Sequence, residues 1–184
     1  MHPYLLFIQS SFYQHCRSFF LDPVAPLPIV SVKNSVKDLL SFLRDSHFLQ
    51  MKQLTDLWAA DYPSDKLRFQ VNYYLLTLRY NFRLLIRQAA PYHNKVLPSV
   101  SDLYPSALWL EREVYDLYGV FFHGHPDLRR ILTDYGFQGH PLRKDFPLSG
   151  YTQLRYDDEL KQIVSEPVNF SQEYRYFDFL SPWR

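Results

Sequence analysis

The chain has 184 residues, of which 47% are hydrophobic and 18% aromatic, and its formal net charge is +1. This suffices for one ordinary core, and so balanced a charge gives no electrostatic ground for binding nucleic acid or an anionic membrane surface. The single cysteine, Cys16, excludes an internal disulfide, and it excludes an iron–sulfur cluster or structural zinc site held by this chain alone.

The first 20 residues carry one arginine and no acid, as transit peptides do, but they are rich in Phe and Tyr. They are expected to form a short leading helix or a partner-contacting arm. Asp22 to Pro28 holds three prolines and reads as a linker. Ile29 to Lys33 alternates and is β-branched, which predicts a short strand. From Asn34, a suitable N-cap, apolar residues recur at Val36, Leu39, Leu40, Leu43 and Phe48, the spacing of an amphipathic helix. Leu54 to Ala60 is the next strand, and Tyr62 to Asp65 turns the chain. Arg68 to Leu78 and Phe82 to Ala90 then form a hairpin about Tyr80-Asn81. Pro91 to Pro98 reads as loop. Ser101 or Ser106 caps a helix reaching Tyr118, with Leu110, Val114 and Leu117 on its core face and Arg112 paired with Asp116. Gly119 fits the C′ position. The order β-α-β-β-β-α predicts an α+β fold, a small mixed sheet with helices packed on one face.

Beyond Gly119 the character changes. All five glycines of the chain lie between Gly119 and Gly150, and no period is sustained between His123 and Gly150. Leu128, Ile131, Leu132, Tyr135, Phe137, Leu142, Phe146 and Leu148 make this stretch too apolar for disorder. An extension ordered by lying on another protein is the economical reading. Thr152 to Tyr156 and Lys161 to Ser165 flank a hairpin turn, and the aromatic end, which includes Phe177 and Phe179, is interface material. The expected division is therefore an N-terminal arm and linker over residues 1–28, an α+β domain over 29–119 and a partner-binding extension over 120–184.

His123, His125 and His140, with Asp127 or Asp134, invite a metal reading; the competing one has His125-Pro126 and His140-Pro141 as turns whose imidazoles cap backbone groups. The mixed charges at Glu111-Arg112-Glu113, Asp127 with Arg129-Arg130, and Arg143-Lys144-Asp145 fit either a solvated surface or buried interface pairs. An Arg/aromatic RNA surface is a further option. No phosphate-binding, metalloprotease or nucleophile-elbow motif occurs.

The run Glu111-Arg112-Glu113, Asp116, Leu117-Tyr118, His125, Arg129-Arg130-Ile131 resembles the signature of the thirty-kilodalton subunit family of respiratory complex I, NADH:ubiquinone oxidoreductase, in its mitochondrial version. The match continues through His125 to Phe137, Gly139 to Tyr151, Arg155 to Glu159 and Glu173 to Phe179. Ala60-Asp61-Tyr62-Pro63, Arg68-Phe69 and Leu78 to Asn81 extend it to the first domain. The resemblance implies a subunit of the quinone-reducing module on the matrix side of the inner mitochondrial membrane, or the cytoplasmic side in a bacterium. It implies no cofactor on this chain, with NADH, FMN, iron–sulfur clusters and ubiquinone on neighbouring subunits. The extension would then pack on the forty-nine-kilodalton quinone-site subunit. Glu111, Arg112, Glu113, Asp116, His125, Asp127, Arg129, Arg130, Tyr135, Phe137, His140, Arg143, Lys144, Asp145, Phe146, Tyr151, Arg155, Phe177 and Phe179 are the expected interface residues. Arg129, Arg130, Arg143 and Asp145 would make interprotein or extension-anchoring charge pairs. A membrane-bound hydrogenase or chloroplast-type NAD(P)H dehydrogenase would share the pattern.

Overall fold

The computed structural model describes residues 3–13, 16–21, 27–32, 36–90, 96–172, 174–177, 179, 181 and 183. Alternation dictates its centre. In β4 (Phe69–Thr77) the side chains of Phe69, Val71, Tyr73, Leu75 and Thr77 are buried, and they face Ala90, Gln88, Ile86, Leu84 and Phe82 of the antiparallel β5 (Phe82–Ala90). The turn between them places Asn81 at φ 48°, a conformation asparagine tolerates. On the other side of β4, β3 (Gln53–Asp61) brings Leu57, Ala59 and Asp61 into register with Tyr73, Val71 and Phe69.

β2 (Pro28–Val32) pairs parallel to β5, so the chain must cross over through α2 (Val36–Asp45), β3 and β4 before the two meet. β1 (Cys16–Leu21), read from sequence only as part of the arm, adds antiparallel to β2 and completes the sheet order β1-β2-β5-β4-β3. α2 buries the predicted stripe of Val36, Leu39, Leu40 and Leu43; its expected cap, Asn34, lies outside the described residues, as does most of the linker. The leading helix, α1 (Pro3–Phe12), uses its aromatics within the chain. Tyr4 packs on Phe48 and Phe82, and Phe12 on Phe42, with centroids 4.5–5.2 Å apart.

α3 (Ala107–Tyr118) departs from expectation at both start and face. Ser106 stands at the N-cap in helical dihedrals with no capping bond; its hydroxyl donates instead to the Leu54 carbonyl at 3.2 Å. The most buried positions are Ala107, Glu111, Val114 and Asp116, whereas Leu110 and Leu117 are only half-buried. The helix turns two carboxylates inward. Two further short strands, β6 (Val96–Pro98) and β7 (Phe121–His123), pair in parallel beside α3, where sequence suggested loop and irregular chain. Three-residue strands carry too little alternation to be read.

The chain divides into two compact units, Met1–Phe146 and Pro147–Arg184. Residues 120–146 lie in the first unit, tied by hydrogen bonds to the sheet and to α3. In the second unit, β8 (Thr152–Asp157) and β9 (Gln162–Pro167) form the predicted hairpin. No helix among the described residues is long and apolar enough to cross a membrane.

Candidate functional site

Glu111 is fully buried. Its carboxylate accepts the Val100 amide at 2.7 Å and the Ser99 hydroxyl at 2.6 Å, which fastens the segment between β6 and α3 to the helix. Burial outweighs these two bonds and pushes the carboxyl up to about 7. A group raised in the folded state takes up a proton on folding, so its contribution to stability is complete below its ordinary value and is lost as pH rises toward 7. Gln can accept the Val100 amide and donate to Ser99 without ever charging. Glu111→Gln is therefore expected to flatten the stability profile between about pH 5 and pH 8, raising stability at the alkaline end by roughly 1–3 kcal/mol. Urea titrations of the isolated chain across that range check it; an unchanged slope would refute the buried-charge account.

Asp116, about one and a half turns later and also fully buried, closes an anion nest. One oxygen accepts the amides of Ile131, Leu132 and Thr133 at 2.8–3.1 Å. The other takes the Thr133 hydroxyl at 2.6 Å and Arg130 at 2.9 Å. Burial alone would raise this carboxyl, but the Thr133 hydroxyl and the three amides hold it well below the usual range. The Arg112–Asp116 pair expected along the helix does not form: Arg112 donates to the carbonyls of Arg129 and Arg130 and covers the Trp109 ring.

The C-terminus of α3 is held by the next part of the extension. His140 Nδ1 donates to the Asp116 carbonyl at 2.8 Å, and Arg143 Nε to that of Tyr118 at 2.6 Å, completing orphan helix carbonyls. Gly119 permits this, since it sits at φ 72° and a Cβ there would collide with both Arg143 and His140. A third fastening reaches the sheet. Asp61, at the end of β3, binds Arg68 at both oxygens (2.6 and 2.7 Å), and one of them also accepts the Lys144 amide at 2.8 Å. Arg68 extends a further bond to Asp145 at 3.0 Å, while Phe69 carries the guanidinium groups of Arg68 and Arg143 on its ring. Sequence reasoning gave Asp61, Arg68, Ser99 and Thr133 no role of their own.

The remaining predicted residues scatter. His125 donates from Nε2 to the Leu108 carbonyl and accepts the Asp127 amide at Nδ1, the backbone-capping alternative of the two readings. No group of three or more metal-ligating side chains exists among the described residues. Arg129 pairs with Asp127 in the open, a contact of little energetic value. Phe137 and Phe146 pack ring against ring at 6.0 Å. Glu113 is exposed and Tyr135 wholly so.

The second unit is amphipathic. Register places Leu154 and Tyr156 opposite Ser165 and Ile163 on one face of the hairpin, with exposures of 63%, 55% and 69% for the three apolar residues. The other face holds Gln153, Arg155 and Glu166, where Arg155 is bonded to both Glu166 and Asp157. Tyr151, Tyr176, Phe177, Phe179 and Trp183 are also exposed.

An α+β sheet domain of this kind is shared with a solved protein fragment. The trypsin-resistant fragment (1-134) of Nqo5 superimposes with a TM-score of 0.60 at 27% identity, over 69% of this chain and 100% of that one. Residues 29–152 match the family described as the respiratory-chain NADH dehydrogenase 30 Kd subunit, and the chain belongs to that family. It is 58% identical to NADH-ubiquinone oxidoreductase subunit 9 of Prototheca wickerhamii over 80% of this chain and 77% of that one. It is 55% identical to an NADH-quinone oxidoreductase subunit of Caulobacter vibrioides over 85% and 79%. The resemblance drawn from the residues after Glu111 is borne out.

Proposed function

We propose that this chain is a non-catalytic core subunit of the quinone-reducing module of respiratory NADH:ubiquinone oxidoreductase. It scaffolds the peripheral arm by packing its C-terminal extension on the forty-nine-kilodalton subunit, on the matrix side of the mitochondrial inner membrane or its bacterial equivalent. It binds no cofactor itself; NADH, FMN, the iron–sulfur clusters and ubiquinone belong to neighbouring subunits. The observation that carries this reading is the exposed apolar face of the hairpin, Leu154, Tyr156 and Ile163. A two-stranded sheet is marginal alone, and an apolar patch of this kind needs a cover. The clamps on residues 120–146 support it too, since they fix the path of the chain up to the point where the second unit begins.

The test is native electrophoresis of mildly solubilised membranes, following this chain beside an NADH-oxidation stain. The wild type is expected in the large NADH-oxidising band. Leu154→Glu with Ile163→Glu is expected to reduce that fraction by roughly tenfold or more, because it places two charges in the covered face. Normal incorporation of that variant would overturn the docking face, and absence of the wild type from the band would overturn the subunit reading itself.

A further inference from the structure

One cleft in the first unit has no part in the contacts described so far. It has a volume of about 1140 Å³ and lies over the end of the sheet where β1 begins and β5 ends. Ser18 faces Ser31, and Ser31 faces Arg87, in one row across β1, β2 and β5, with Gln70 of β4 alongside. This row alternates with Val30 and Ile86 of the core, so it lies on the sheet surface opposite the buried one. Arg17 joins it from the irregularity between Cys16 and Ser18, where β1 carries one residue without a partner on β2. Such bulges re-aim side chains, and Arg17 is exposed.

The charge is one-sided. Arg87 Nε donates to the Asn72 side-chain oxygen at 3.1 Å, and among the described residues neither arginine has a carboxylate partner. None of the described lining residues is acidic. Two like-charged forks beside Ser18, Ser31 and Gln70, in a lining that Phe19, Val32 and Leu67 make partly apolar, concentrate a positive field and match carboxylates bidentately. No glycine loop or helix N-terminus, the usual sources of phosphate-binding amides, contributes to the described lining, and the open volume exceeds that of a typical small-molecule site.

We propose that this cleft receives an acidic, extended segment of a neighbouring polypeptide, with carboxylates meeting Arg17 and Arg87. The inference stands apart from the docking of the hairpin. It is tested on the full-length chain by fluorescence anisotropy, with a labelled peptide of alternating Glu and Gly as probe and its Gln counterpart as control. The Glu peptide is expected to bind in a salt-sensitive way, and Arg17→Gln with Arg87→Gln to weaken it by roughly tenfold. Arg17→Gln alone, at an exposed position that leaves folding intact, is expected to weaken it severalfold, and Arg83→Gln outside the cleft to have no effect. Equal binding of the Gln peptide, or indifference to Arg17→Gln, would overturn the proposal. So would tighter Arg17-dependent binding of inorganic phosphate or of phosphatidylglycerol vesicles.

Discussion

Asp61→Ala is expected to lower the melting temperature of the isolated chain by roughly 10 °C. Removing one partner of a buried ion pair costs about 3–5 kcal/mol, and a chain of this size shifts by about 2–4 °C per kcal/mol. The carboxylate is inaccessible and Arg68 nearly so, so the substitution strands the Lys144 amide and strips two bonds from the guanidinium, which keeps its bond to Asp145. Burial pushes the Asp61 carboxyl up, and the bonds from Arg68 and Lys144 reverse this and hold it low. The pair is therefore ionised under ordinary conditions. Arg68→Lys should reproduce much of the loss, because an ammonium cannot span both oxygens. Hydrogen exchange supplies a second readout: in Asp61→Ala the Lys144 amide should lose protection while central β4 and β5 amides keep theirs. Unchanged protection at Lys144 would mean that the extension is not held through Asp61.

Asp116→Ala removes the acceptor of three amides, one hydroxyl and one guanidinium together. Each stranded donor costs about 1–3 kcal/mol when fully desolvated, and partial access of water to the loop reduces the sum, so a loss of roughly 3–4 kcal/mol is expected in urea denaturation at neutral pH. The wild-type pH dependence has a defined sign. A carboxyl held low in the folded state contributes stability that is present above its unfolded value and is lost as pH falls through the folded one. Asp116→Ala should therefore have a shallower acid limb than the wild type, on the opposite side of the profile from the change expected for Glu111→Gln. An unaltered urea midpoint would show that the nest organises the loop without stabilising the chain.

Periodicity revealed the sheet centre and α2 because their buried faces are simply apolar: Val71, Tyr73 and Leu75 alternate, and Leu39, Leu40 and Leu43 follow helical spacing. It misread α3 for the same reason. Glu111 and Asp116 are the inward residues, and a rule that sends charge outward assigns them to solvent. Their burial is offset by Ser99, Val100, Thr133 and Arg130, partners 11 to 17 positions away that no local pattern identifies. Asp61 and Arg68 were visible as residues of the family pattern, yet only the β3–β4 register brings them together. The extension looked irregular because it is fastened through side-chain and carbonyl contacts, which leave no period behind. The hairpin of β8 and β9 was legible, its strands short but its turn residues unambiguous.

The fastening of Lys144 and Asp145 to the β3–β4 corner also orders events during synthesis. The clamp at that corner cannot form until its last residues have left the ribosome, since Asp145 lies 77 positions downstream of Arg68. The aromatic end follows within a few seconds at about 5–20 residues per second. By then the preceding fold is able to complete itself, so the sticky surface emerges after it, when a partner can cover it before another nascent chain does.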